Sequence, residues 1–202
     1  MTVINLKEEH YLGHGHQRIC YIHPDDDTKV IKVVTKKRKI PNFKSQNLIE
    51  FLSYKLAEDT VTDFSFMPKC YGWVETSEGE GLVFDRVRNY DGSPVLTLHH
   101  AVKERQITWE EAVPLVEELN DYLKKNNILF VDAVISNVLL QKVEEGRYKL
   151  VVIDGLGARK LTMKYAIQNS LRPYKVYKMY KQRLRLLKNL KHVVALAKAA
   201  DK

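Results

Sequence analysis

Asp132, four residues and then Asn137 open a short apolar run, Val138-Leu139-Leu140. A second apolar run, Lys149-Leu150-Val151-Val152-Ile153, ends in Asp154-Gly155, seventeen residues after that Asn. This spacing places a carboxylate and two further hard oxygen donors at neighbouring strand ends. Such a set suits phosphoryl transfer. Asp132 would take the proton of a substrate hydroxyl. Asn137 and Asp154 would hold Mg²⁺ ions that neutralise the phosphates of ATP. Turns also favour Asp and Asn, so the rest of the chain must supply the partners of this chemistry.

Those partners are present upstream. Lys32 stands alone among β-branched residues in Val30-Ile31-Lys32-Val33-Val34, where a strand can aim it at the α- and β-phosphates. Gly13 and Gly15, in Leu12-Gly13-His14-Gly15-His16-Gln17-Arg18, leave room for backbone amides to approach phosphate. Arg18 occupies the place of the third glycine of a Gly-x-Gly-x-x-Gly turn. Residues 46–59 read as a helix with Leu48, Leu52 and Leu56 on one face. Glu50 lies off that stripe and is the expected partner of Lys32, with Glu58 the second choice. The segment after Phe84 is the expected hinge, with Asp85 and Val87 among the residues that hold the nucleotide base.

The elements that must position these residues come in a definite order. Strands are expected over the two runs around Gly13, over 30–34, over Phe66–Thr76 and over Gly81–Val87. Asn89-Tyr90-Asp91-Gly92-Ser93-Pro94 is a loop by composition. Thr108-Trp109-Glu110-Glu111 is a capping box. It opens a helix with Ala112, Leu115, Val116, Leu119, Tyr122 and Leu123 on one face, a kink expected at Pro114 and an end at Asn126-Asn127. A sheet, a hinge, a helix, an Asp–Asn loop, a hairpin and an Asp-Gly, in that order, are the parts of a protein kinase. The expected fold is α+β: a protein-kinase-like bilobal fold with an antiparallel five-stranded N-lobe over 1–88 and a reduced helical C-lobe over 89–202.

Composition bounds the rest. With 202 residues, 45% apolar and 29% charged, the chain is an ordinary globular one. It has no membrane-spanning run, and acids stand where a signal peptide carries its apolar core; a cytoplasmic location is expected. Cys20 and Cys70 sit in expected strands with no second Cys nearby and read as small hydrophobes, not as a disulfide or a zinc site. The net charge of +8 is uneven. Residues 158–202 hold thirteen Lys and Arg against one acid, Asp201, so the first 157 residues are net −4. Arg172-Pro173 should open a helix to about Ala200, with Val176, Met179, Leu187, Leu190, Val194 and Ala197 on its apolar face. Lys178, Lys181, Arg185, Lys188 and His192 lie opposite. Such a helix either closes the lobe or docks an anionic partner: a phosphorylated glycan, an anionic envelope component or an anionic membrane surface. Nucleic acid ranks last, because Tyr174, Tyr177 and Tyr180 form no stacking platform.

The segments Tyr71-Gly72-Trp73-Val74-Glu75-Thr76, Gly79-Glu80-Gly81-Leu82-Val83-Phe84-Asp85 and Arg88-Asn89-Tyr90-Asp91-Gly92 resemble the YrbL-type PhoP regulatory network protein family of bacteria. That resemblance covers nearly the whole chain. It implies a protein-kinase-like fold in a cytoplasmic protein tied to envelope-stress and low-magnesium responses. It also implies that Lys32, Glu50, Asp132, Asn137 and Asp154 are the nucleotide and catalytic residues. The chain departs from ordinary kinases in three ways. Leu129-Phe130-Val131 replaces the His-Arg before the catalytic Asp, Ala133–Ser136 carries no Lys, and only 45 residues follow Gly157, with no Ala-Pro-Glu. Two readings follow: an ATP- and Mg²⁺-dependent phosphotransferase of unknown acceptor, or a non-catalytic, nucleotide-responsive binding protein acting through its basic helix.

Overall fold

The computed structural model describes residues 3–15, 18–34, 46–58, 61–157 and 172–199. Strands β1 (Tyr11–His14), β2 (Arg18–His23), β3 (Asp26–Val34), β4 (Cys70–Thr76) and β5 (Gly79–Asp85) form one antiparallel sheet in the order β1-β2-β3-β5-β4. Alternation along β3 decides its two faces. Ile31 and Val33 pack with Leu6 and Val83 in a small cluster on one side. Val30 joins the main core on the other, and the period of two sends Lys32 to that same inner side. The strand expected from Phe66 begins at Cys70. Phe66 instead gives its carbonyl to Val152 N (2.9 Å), and Pro68 has no N–H for a ladder.

Helix α1 (Gln46–Glu58) packs against β3, β4 and β5. Its inward face is not the leucine stripe. Asn47, Glu50 and Tyr54 are buried, whereas Leu56 is 65% exposed. The inner face of this helix meets the charged side chains of β2 and β3, so the residues that satisfy those charges displace the apolar ones.

The second half holds β6 (Leu96–Thr97), β7 (Val138–Glu144) and β8 (Arg147–Val152), paired in that order, and helices α2 (Leu98–Lys103), α3 (Trp109–Lys125) and α4 (Arg172–Ala199). Thr108 and Glu111 form the expected capping box of α3. The helix continues through Pro114 and ends at Asn126, after which Asn127 takes a φ of +56°. Asn tolerates that left-handed turn better than most residues. Ala112, Val116, Leu119, Tyr122 and Leu123 are buried as the periodicity predicts. On α4 the buried line is Met179, Leu186, Leu190 and Val193, while Val176 is exposed. The apolar face expected from Val176 to Ala197 is therefore rotated. One continuous core runs from Tyr54, Leu82 and Phe84 through Phe130 and Val152 to Leu186 and Leu190. No helix among the described residues is long and apolar enough to cross a membrane.

Candidate active site

Two short segments bring the acidic residues together. Leu129–Asp132 and Gly155–Gly157 run side by side, with Gly157 N donating to Leu129 O (2.8 Å) and Asp132 N to Gly155 O (3.1 Å). Gly155 has a φ of +83°, and a Cβ there would lie 2.9 Å from Asp132 Cβ and 3.2 Å from Asn137 Nδ2. Only glycine allows so close an approach in that backbone conformation. A 3₁₀ turn over Ile135–Asn137 then folds Asn137 back. Its Nδ2 donates to Asp132 O (3.0 Å) and Asp132 Oδ2 (3.3 Å), and its carbonyl accepts from Ile153 N (3.0 Å). Asp132, Asn137 and Asp154 are thus fixed to one another by main-chain bonds.

The opposite wall comes from the sheet. Lys32 Nζ donates to Glu50 Oε1 (2.9 Å) and to Ile153 O (2.6 Å), and sits 4.2 Å over the Phe84 ring. Asn47 Nδ2 ties α1 to β3 through Lys32 O (2.9 Å). Glu50 is therefore the Lys32 partner; the side chain of Glu58 lies outside the described residues. Arg18, read from sequence only as a missing glycine, proves central. It is buried at the start of β2, pairs with Glu50, donates to Asn47 Oδ1 (3.2 Å), and places Nη2 2.7 Å from Asp154 Oδ2. Two cations and two carboxylates form one closed network, and each buried charge has an opposite neighbour.

This network sets the charge of Asp154. Burial alone would push its carboxyl up, but Arg18, Lys32 and the Gly155 N–H (2.6 Å) hold it below the usual carboxylate range. Burial pushes the Cys20 thiol up, against the pull of Lys32 and Arg18, and Cys20 forms part of the cleft wall. Cys70 is buried.

Between the walls lies a cleft of about 630 Å³, a size that holds a nucleotide. Lys32, Asn137 and Asp154 line it, as do Gly13 and Gly15. Gly15 N donates to Arg18 O (2.8 Å), closing the β1–β2 turn; His16 and Gln17 lie outside the described residues. At the hinge, Val87 lines the cleft between Arg86 and Arg88. Asp85 does not. Its carboxylate accepts from Tyr71 OH (2.8 Å) and Lys69 N (3.1 Å), which turns it to the β4 side of the sheet.

Asn137 and Asp154 present oxygen donors to the cleft. With Nδ2 of Asn137 given to Asp132, its Oδ1 is the atom left to ligate. Asp154 Oδ2 accepts from Arg18 and Oδ1 from the Gly155 N–H, so a cation would share or displace these partners. One carboxylate and one amide oxygen are hard donors of the kind Mg²⁺ takes, with phosphate oxygens and water completing its shell. Arg18, Asn47 and the Ile153 carbonyl were missed from sequence. The signal was an arginine opening an otherwise apolar strand, Arg18-Ile19-Cys20-Tyr21-Ile22.

A five-stranded sheet with one helix, facing a Lys–Glu pair toward an Asp–Asn loop and an Asp-Gly, defines a protein-kinase-like fold. The kinase domain of PknI from Mycobacterium tuberculosis, solved as a double mutant, superposes with a TM-score of 0.50 over 72% of this chain, at 14% identity. The chain spans 56% of that kinase domain's length. Residues 4–189 match the family of PhoP regulatory network protein YrbL, and the chain belongs to that family. Its relatives include the YrbL proteins of Escherichia coli strain K12 and Shigella flexneri, each 30% identical over 163 residues, 79% of this chain and 76% of theirs.

Proposed function

We propose that the protein is an ATP- and Mg²⁺-dependent phosphotransferase acting on a hydroxyl, in the cytoplasm, within a PhoP-type regulatory network. The observation that carries this reading is the division of labour between two adjacent carboxylates. Asp154, its side chain 32% exposed, is held by Arg18 and by the Gly155 N–H. Asp132, in contact across Gly155, keeps its side chain 42% exposed. A base that takes a proton from an incoming hydroxyl needs that access.

Lys32, held by Glu50, orients the phosphates, and Gly13 and Gly15 let them lie against the β1–β2 turn. Val87 and its neighbours bound the base of the nucleotide. Asn137 and Asp154 would hold the divalent ion, which supplies positive charge against the phosphates when bound. Asn137 also fixes Asp132, so the base meets the acceptor in one orientation. The exposed cations of α4, Lys181, Lys188 and His192, suit an anionic acceptor such as a phosphorylated glycan or envelope component. A second reading, a nucleotide-responsive binding protein without catalysis, is favoured by Arg18, which already sits on the oxygen a metal would use.

Asp132→Ala separates the two. In the phosphotransferase, MgATP affinity should stay within a few-fold of wild type, and turnover should fall by about 10²–10⁴, the usual worth of a positioned base. Full complementation of a deletion strain by a folded, turnover-dead Asp132→Ala protein would refute the enzyme and leave the binding protein.

A further inference from the structure

Asp132 has a cation beside it that its own loop does not supply. Ala133–Ser136 carries no positive charge. Of the four cations that line the cleft among the described residues, Arg18 is bound to Glu50 and Asp154, Lys32 to Glu50 and Ile153 O, and Arg86 and Arg88 to Asp27. Arg185 of α4 reaches Asp132 instead, with Nη2 3.6 Å from Oδ1.

The helix is fastened so that this residue faces the loop. Gln182 Oε1 accepts from Phe130 N (3.1 Å), two residues before Asp132. Arg183 grips Glu117 of α3 through two bonds, of 2.7 and 2.5 Å. Leu186, the next residue after Arg185, is buried in the core. These anchors all lie within one turn of Arg185 and fix its direction. The Arg185 side chain is 46% exposed, so its guanidinium can move from Asp132 onto an incoming group.

We propose that Arg185 is a catalytic residue that binds the phosphoryl group as it passes to the acceptor; the inference rests on the phosphotransferase reading. In that step the bond from the terminal phosphorus to its bridging oxygen breaks, and the electron pair leaves with ADP. The acceptor oxygen bonds to phosphorus, and its proton goes to Asp132. The group in transit carries negative charge on three equatorial oxygens. A planar guanidinium meets two such oxygens at once, which a lysine cannot do. Asp132 holds Arg185 in place before substrate arrives.

The test reads binding and needs no acceptor. Affinities for MgADP, and for MgADP with aluminium fluoride as a mimic of the transferring group, are measured on wild type, Arg185→Gln, Arg185→Lys and Lys191→Gln. Thermal melting confirms that each is folded. Arg185→Gln should bind MgADP within about two-fold of wild type and the fluoroaluminate complex about 10²-fold more weakly, the loss seen when one transition-state donor is removed. Arg185→Lys should recover part of that loss. Lys191→Gln, an exposed cation of the same helix, should stay within a few-fold, which excludes an effect of general surface charge. Fluoroaluminate binding undiminished in Arg185→Gln overturns the proposal, as does an equal loss in Lys191→Gln. Wild type that binds MgADP but gains nothing from aluminium fluoride overturns the role of Arg185 and leaves nucleotide binding in place. Wild type that binds no MgADP overturns the phosphotransferase reading and this inference with it.

Discussion

Arg18 Nη2 lies 2.7 Å from Asp154 Oδ2, a bond between residues 136 positions apart that crosses the cleft from the sheet to the end of the β7–β8 hairpin. The same guanidinium pairs with buried Glu50, so one side chain faces both carboxylates of the network. Bonds of this charge-assisted kind are about twice as strong as neutral ones.

Arg18→Met should therefore destabilise the protein by about 3–5 kcal/mol near pH 7, because it strands buried charge. The loss has a pH signature. Asp154 is held below its ordinary value. It thus contributes stability that is present above about pH 4 and is lost as pH falls through its folded value. Without Arg18, burial is less opposed and the carboxyl moves up. Urea melts should show the gap between wild type and variant narrowing below about pH 4. An equal gap on both sides would show that the loss is one of packing.

Asp154→Asn should abolish the Mg²⁺-dependent part of the thermal shift given by ATP, because the ion loses an anionic oxygen. Chelation of the ion should do the same to wild type. Equal stabilisation of wild type and variant by MgATP would remove Asp154 from the ligand set.

Gly155→Ala should cost about 1–3 kcal/mol from its backbone conformation alone. The added Cβ would also press on Asp132 and Asn137, so turnover should fall further than nucleotide affinity. Melting and binding measured on the same preparation check this. Unchanged stability would mean that the Asp132 and Gly155 segments do not run as closely as described.

Tyr54→Phe should be neutral or stabilising by about 1 kcal/mol, since a buried polar group without a partner is costly. The Tyr54 hydroxyl is buried and has no hydrogen-bond partner among the described residues. Its ring packs edge-on against Phe84 at 5.2 Å and is kept by the substitution. A loss of more than about 1 kcal/mol, the usual worth of one net hydrogen bond, would reveal a bound partner.

The linear order of strands, hinge, capped helix and hairpin was legible because each element follows a local rule of period, cap or turn. Lys32, Asn137 and Asp154 were legible for the same reason: each is a polar residue at a fixed place against an apolar run. The inner face of α1 was not. Hydrophobic periodicity assumes that a helix buries its apolar stripe, and here Asn47 and Glu50 are buried because they satisfy Arg18 and Lys32. On α4, a long helix offers several stripes of similar quality, and only contact with α3 selects Leu186 and Val193 over Val176. Arg185 meets Asp132 across 53 positions of chain, which no spacing rule links.

The two long-range ties of the cleft also bear on how the molecule comes apart. Arg18 and Lys32 are rooted in the N-terminal sheet, and they end on Asp154 and Ile153 at the open end of the β7–β8 hairpin. Cut along the cleft, the N-terminal piece would keep two cations and one carboxylate, and Asp154 in the C-terminal piece would lose both Arg18 and Lys32. Neither fragment keeps the network whole. Melting is therefore expected as a single cooperative transition, and amides of the sheet and of the hairpin should exchange with solvent through the same global opening.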